Sequence, residues 1–361
     1  MEMIKGGVTA AKGYMAAGLY AGIKKERKDM ALVFSEIPAK SAGTFTTNVV
    51  KAAPVKWDMK LIQENEFAQA VILNSGVANA CTGEEGEVNN KKMAEAMANS
   101  LGIPVTSVLT ASTGVIGKQL PMDVITAGID LLADAIEGDL DAGLSAAQAI
   151  MTTDTYSKEC AVSFELDGKT VTIGAMAKGS GMIHPNMATM LGVVTTDIAI
   201  SKALLQEAIS ADVKDTFNMI SVDRDTSTND SLFILANGMA ENKEITEKNE
   251  AYDKFCEALN IVTKDLSKKM AADGEGATKL LEAVVIGAVD KAQAVSLSKS
   301  IITSNLVKTA IYGNDANWGR ILCAMGYAGV EFDPEQVDLF VESQEGKLQL
   351  VSNGMATDYS E

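Results

Sequence analysis

A threonine that passes straight from a turn bent by glycine and proline into a β-prone apolar run can bring its hydroxyl against the carbonyl before it. Residues 178–197, KGSGMIHPNMATMLGVVTTD, supply that arrangement. Gly179, Gly181 and Pro185 mark the turn, and the chain changes character at the Ala188-Thr189 bond, just before the apolar residues 190–195. The chemistry available there is an N-to-O acyl shift. Thr189 Oγ attacks the Ala188 carbonyl, the peptide becomes an ester, and hydrolysis leaves Thr189 as a new N-terminus. Such a threonine carries nucleophile and base together, because its freed α-amine has a reference pKa of about 7.7–8.0. By local chemistry alone, most threonines in such places serve only turns and strand starts.

Other blocks along the chain change that balance. They read ILNSGVANACTG (72–83), ASTGVIG (111–117), MTTDT (151–155), DGEGATK (273–279) and YGNDANWGRI (312–321). With the G-x-x-x-P-N-M-A-T-M context of Thr189, they resemble, in the same order over most of the chain, the ornithine acetyltransferase (glutamate N-acetyltransferase) family of arginine biosynthesis. The resemblance implies an α/β (α+β) chain folded as a layered αββα-type sandwich with mixed sheets, of the self-cleaving N-terminal-nucleophile kind. Cleavage between Ala188 and Thr189 gives an alpha chain, 1–188, and a beta chain, 189–361, which pair and assemble into a heterotetramer.

The same resemblance assigns roles residue by residue. Thr113 and Gly114 form the oxyanion hole, which suits a glycine that lets backbone approach and a hydroxyl that can donate where charge develops. Lys178 pairs with a substrate carboxylate, and Glu275 holds a substrate cation. Of Thr152 and Thr153, spacing favours Thr152 as the substrate-binding threonine. In the implied ping-pong cycle Thr189 takes acetyl from N-acetylornithine, releases ornithine and passes the acetyl group to glutamate. One amide is exchanged for another, so no cofactor, nucleotide or metal is required, though acetyl-CoA is possible as a second donor. The alternative readings are an amidohydrolase or aminopeptidase of the related self-cleaving fold, with water as acceptor, and an inactive truncated member. The last arises because the family's chains run further, to an Asn and a Ser or Thr that reach the substrate; Asn353 and Ser360 do not stand in that context.

Composition excludes several other classes. With 31 Lys and Arg against 48 Asp and Glu, a formal charge of −17 argues against nucleic acid or an anionic membrane as partner. Residues 1–22 mix Lys, Gly and Ala without a compact apolar core, so no secretory signal is read there, and no run approaches a membrane span. Cys81, Cys160, Cys256 and Cys323 are widely spaced beside a single histidine, which suggests neither zinc nor a disulfide framework. They read as small buried hydrophobes in a reduced, cytoplasmic setting. His184 precedes Thr189 closely, but cleavage would separate the two, so it is expected to position the loop or to pack. DGEGATK lacks both the Walker spacing and an oxygen-ligand ladder.

The elements that must position these residues follow from periodicity. Strands are expected at 30–37, 43–50, 68–73 and 190–195, with buried strand runs leading into the 111–117 turn and through SLFILANG (231–238), and another over 281–289. Residues 161–166 and 170–175 flank Asp167-Gly168 as a hairpin, and 337–343 and 347–352 form another. Helices are expected over 87–101, 123–137, 144–150, 251–270, 292–302 and 320–327, and after Ser201 as N-cap. The clearest is 251–270, where Tyr252, Phe255, Leu259, Val262, Leu266 and Met270 recur every three or four residues. Hairpins together with crossovers imply mixed sheets with helices packed outside. No composition shift marks a linker, so the one boundary drawn is chemical, at Ala188-Thr189.

Overall fold

The computed structural model describes residues 1–184 and 190–358. It contains two compact units, Met1–Gly276 and Ala277–Glu361, a division that no change of composition announces. The chemical boundary drawn from the sequence rests on Ala188 and Thr189, which lie outside the described residues.

The first unit runs β1 (Glu2–Ile4), β2 (Tyr14–Leu19), β3 (Met30–Phe45), α1 (Ala53–Glu64), β4 (Phe67–Val77), α2 (Gly83–Leu101), β5 (Val108–Val115), α3 (Met122–Asp134) and α4 (Leu140–Ala149). It continues with β6 (Lys158–Leu166), β7 (Lys169–Lys178), β8 (Leu191–Thr196), α5 (Lys202–Asp215), β9 (Ser231–Ala236) and α6 (Glu250–Ala272). Among the described residues these strands form one nine-stranded mixed sheet in the order β1-β6-β7-β8-β9-β3-β4-β5, with β2 also on β3. The pairs β4/β5 and β8/β9 are parallel and the rest antiparallel. Each parallel pair has a helix in its crossover, α2 in one and α5 in the other, as parallel connections require.

Alternation along the strands separates three apolar layers. Ala175, Ala177, Val194 and Ile234 meet Leu205 and Ile209 of α5 and Phe255, Leu259 and Val262 of α6. Their neighbours Met176, Val193 and Phe233 point the other way, into an interior shared with Ala31, Val33, Val71 and Leu73. On the far side of that half Leu32, Ala70 and Ile72 face Met93 and Met97 of α2 and Ile125 and Ile129 of α3. Helices, half-sheet, half-sheet, helices: this is the αββα arrangement expected from the sequence, with β3 hydrogen-bonded into both halves. Each large side chain fully buried in these layers contributes about 1.5–3 kcal/mol.

Residues 30–37 and 43–50, read as two strands, are one bent strand up to Phe45. Its register breaks between Phe34 and Ala39, the stretch holding Pro38, which has no N–H to give to a ladder. The first half of β3 pairs with β2 and β4, and residues from Lys40 onward pair with β9. The hairpin turn at Asp167-Gly168 has the positive φ values, 52° and 72°, of a tight primed turn. Helix α6 buries the expected stripe and is capped by Asn249, whose side chain accepts from Tyr252 N. Of the cysteines only Cys160 is buried, while Cys81 and Cys323 are exposed and Cys256 is intermediate, a correction to the reading of all four as core. No helix among the described residues is long and apolar enough to cross a membrane.

The second unit carries α7 (Lys291–Thr303), α8 (Asn305–Tyr312), α9 (Trp318–Gly326) and the strands β10 (Leu339–Ser343), β11 (Gly346–Ser352) and β12 (Met355–Ala356), which form an antiparallel sheet. Residues 281–289, expected as a strand, are assigned to none. The alternation that prompted the expectation is real: Leu281, Ala283 and Val285 pack on the helices while Val284 and Ile286 are exposed. Among the described residues the segment has no ladder partner. Helix α8 and, in the first unit, α1 were not anticipated.

One buried carboxylate of β6 gives the first unit a pH dependence. Among the described residues Glu159 Oε1 is buried without a hydrogen-bond partner, and Gly7 lies so close that a Cβ there would be 2.2 Å from it. Burial pushes the Glu159 carboxyl up to about 7, against the pull of Lys269. Because the folded value lies above the ordinary 4.5, its contribution is intact at acidic pH and is lost as pH rises through about 7. Glu159→Gln should therefore melt progressively higher than the parent as pH is raised from 5 to 8; thermal melts across that range check this, and a constant difference contradicts it.

Candidate active site

The turn ending β5 is set by backbone packing. Gly114 has φ 130°, and a Cβ on it would lie 2.3 Å from the Gly76 carbonyl carbon, so only glycine allows β5 to close on β4 there. Polar side chains fasten the same turn. Ser112 Oγ donates to Asn74 Oδ1 (2.6 Å), and Asn74 Nδ2 donates to the Val77 carbonyl (2.9 Å). Asn229 Nδ2 bridges the carbonyls of Ala78 (2.5 Å) and Ser112 (2.8 Å). Thr113 is left half-buried and Gly114 exposed at the strand end.

Lys178 closes β7 and reaches this turn. Its Nζ lies 3.4 Å from Thr113 Oγ1. A hydroxyl that accepts from an ammonium turns its own proton outward and donates more strongly, as an oxyanion-binding group must. Burial lowers the Lys178 pKa; Asp154, Asp230 and Glu275 oppose that lowering, and Lys158 adds to it. Lys178 is thus a desolvated cation among carboxylates, suited to a further anion.

The remaining candidates are held by a buried ion network. Lys158, at 0% exposure, donates to Asp154 Oδ1 (2.8 Å) and Asp273 Oδ2 (2.6 Å). Asp154 also accepts from Gly179 N (2.8 Å), directly after Lys178, and through Oδ2 from Thr152 N (3.0 Å). Burial works to raise Asp154, but Lys178 and Lys158 outweigh it and hold the carboxyl below the usual range. Asp273 accepts from Thr155 N (3.0 Å), and its carbonyl from Ser180 Oγ (2.6 Å). Glu275 N donates to the Ser180 carbonyl (3.2 Å), and the Glu275 carboxylate lies against Gly181.

The structure therefore brings Thr113, Gly114, Thr152, Lys178 and Glu275 around the end of β7. Ala188 and Thr189, the cleavage pair, lie outside the described residues. On the near side of that segment Asp223 accepts from Met182 N and Ile183 N, the latter at 2.9 Å, and His184 Nδ1 is 3.0 Å from Ser221 Oγ. On the far side the Met190 carbonyl accepts from Ser231 N (3.0 Å). In the second unit Asn317 caps α9 and Arg320 binds the Leu306 carbonyl and Thr309 Oγ1, a structural use of that block.

Sequence reasoning missed Asp154, Lys158, Asp273 and Asn229. Asp154 and Asp273 sit inside the MTTDT and DGEGATK blocks, a signal that was on view; Lys158 and Asn229 had none beyond a polar residue next to a strand. Lys158→Met leaves two carboxylates buried without their cation, which typically costs about 3–5 kcal/mol. Chemical denaturation should show a loss of that order, and a variant as stable as the parent contradicts the network's role.

The comparisons with known proteins agree with the blocks. The arginine biosynthesis bifunctional protein ArgJ of Thermotoga neapolitana is 49% identical over 351 residues, which are 97% of this chain and 88% of that one. Its namesake from Caldanaerobacter subterraneus subsp. tengcongensis is 50% identical over 354 residues, 98% of this chain and 87% of that one. The crystal structure of the arginine biosynthesis bifunctional protein from Bacillus halodurans matches at 46% identity and a TM-score of 0.50, over 52% of this chain and 98% of that chain. The sequence profile of the ArgJ family spans residues 15–361. The chain belongs to the ArgJ family.

Proposed function

We propose that this chain is an acetyltransferase of arginine biosynthesis that moves acetyl from N-acetylornithine to glutamate through an acetyl-Thr189 intermediate. The observation that carries the reading is the convergence of Thr113, Gly114, Thr152, Lys178 and Glu275 around the end of β7, in a chain of the ArgJ family. Thr189 first cuts its own chain by the acyl shift to Ala188, and its freed amine then serves as base. In the transfer, Thr189 Oγ attacks the acetyl carbonyl and its proton passes to the α-amine. The oxyanion is met by the Thr113 hydroxyl and the Gly114 N–H, donors that are typically worth about a hundred- to a thousandfold in turnover each. Collapse expels the ornithine amine with that proton, and the glutamate amine attacks the ester in the reverse sense. Lys178 and Thr152 hold the carboxylate end of the substrate and Glu275 the side-chain ammonium of ornithine.

The cleavage is supported by a coverage figure: one solved relative's chain is 98% matched by 52% of this one, about the share that precedes Thr189. We extend the reading to an alpha and a beta chain assembling as a heterotetramer in the cytoplasm. The relatives are named bifunctional, which supports acetyl-CoA as a second donor to glutamate; the acyl exchange itself calls for no cofactor or metal.

Intact-mass measurement of the purified protein tests the nucleophile. Two masses meeting at Ala188-Thr189 are expected, with a single full-length mass for Thr189→Ala. An uncut parent that still forms acetylglutamate from N-acetylornithine and glutamate overturns the mechanism, and free acetate in place of acetylglutamate overturns the transferase.

A further inference from the structure

A second cation stands at the site. The carboxylate of Asp29, itself fully buried, accepts from the backbone N–H groups of Ala21 (2.7 Å), Gly22 (3.1 Å) and Lys24 (2.9 Å). This folds residues 21–24 into a fixed turn with Gly22 at φ 107°. The turn lays the Lys24 stem over Gly76, where an added Cβ would be 3.0 Å from Lys24 Cγ. Gly76 is the residue whose carbonyl group presses on Gly114. From there Lys24 Nζ extends to the Met151 carbonyl (2.9 Å), immediately before Thr152. Lys24 thus spans from the Thr113-Gly114 turn to the Thr152 loop, and its charge is felt by both Lys178 and Asp154.

The chemistry of the two substrates shows what such a cation could do. Ornithine and glutamate share an α-amino acid head, but one side chain ends in an ammonium and the other in a carboxylate. Lys178 suits the shared carboxylate and Glu275 the ammonium. Nothing in that set receives the second carboxylate of glutamate, and Lys158 is enclosed between Asp154 and Asp273. Lys24 is half-buried, and an ammonium has three donors, of which one is engaged at Met151 among the described residues. We propose that Lys24 is a specificity-determining residue that receives the carboxylate carried by glutamate and not by ornithine. The assignment rests on the acetyl-transfer reading above. Burial lowers Lys24 to about 8, so it remains mostly charged at neutral pH, and a cation stripped of water beside another cation gains from a bound anion.

The test uses the full chain and separates the two halves of the cycle. For Lys24→Met, which keeps the stem and removes the charge, KM for glutamate should rise about tenfold or more, the equivalent of ~1.4 kcal/mol. The preference for glutamate over glutamine, whose side chain is neutral, should shrink by the same factor. Ornithine release from N-acetylornithine without acceptor should stay within about twofold, since that half-reaction makes no use of the charge, and Lys24→Arg should recover most of the loss. An unchanged KM for glutamate overturns the assignment, as do equal losses in both half-reactions. If Lys24→Met does not fold, as judged by melting and by cleavage at Ala188-Thr189, the glutamate-to-glutamine ratio of Lys24→Gln decides by the same criteria. A parent protein that releases no ornithine from N-acetylornithine overturns the transfer reading itself, a result distinct from loss of glutamate selectivity alone.

Discussion

The site depends on one lysine with no access to water. Lys158 is held between Asp154 and Asp273, whose carboxylates hold the backbone of Thr152, Thr155 and Gly179, while the Asp273 carbonyl, on the loop that leads to Glu275, accepts from Ser180 Oγ. Burying three charges carries a large desolvation penalty, which is tolerable only where every partner is met at good geometry. That condition is what makes the arrangement rigid. A loop anchored to an enclosed ion pair has few alternative positions, because moving it would strand a charge in the interior. Thr152, Lys178 and Glu275 stand on this frame and do not form it.

The turn at Thr113 and Gly114 is fixed by a different means. At Gly114 the constraint is steric, two strand backbones meeting with no room for a Cβ; Asn74, held by Ser112 Oγ, and Asn229 then satisfy the carbonyls of Val77, Ala78 and Ser112. Lys178 joins the two systems, since its backbone neighbour Gly179 binds Asp154 while its ammonium reaches Thr113. For the acyl transfer proposed above, donors fixed in advance would not need to reorganise as charge develops, which is where most of the benefit of such a site resides.

How much of this could be read in the sequence varied with how local its cause was. The turn at Asp167-Gly168 and the stripe of α6 are decided within a few residues, and both stand as expected. The layers of the sandwich followed from the strand patterns and the family blocks. The parts not foreseen have distant causes. Whether residues 30–45 are one strand or two depends on β9 accepting the second half, and residues 281–289 have strand-like alternation without a neighbour to pair with among the described residues. The ion network was partly visible as acidic residues within quoted blocks, but an Asp in a loop has no sign of its partner; Lys158 and Asp273 are 115 positions apart.

The pairing of β3 with β9 sets a condition on how the chain folds. Lys40 lies opposite Ala236, so the ribbon linking the two halves of the sandwich joins segments made early and late in translation. Until β9 leaves the ribosome, the interior faces of β3 and β4, with Val33, Val71 and Leu73, lack Phe233 and Leu235 to cover them. Long-range ladders of this kind are slow to close, because loop entropy is lost before any contact rewards it. The nascent β3–β4 segment is accordingly an aggregation-prone intermediate, and its residence time is governed by the speed of elongation through the roughly 160 codons between the end of β4 and the end of β9.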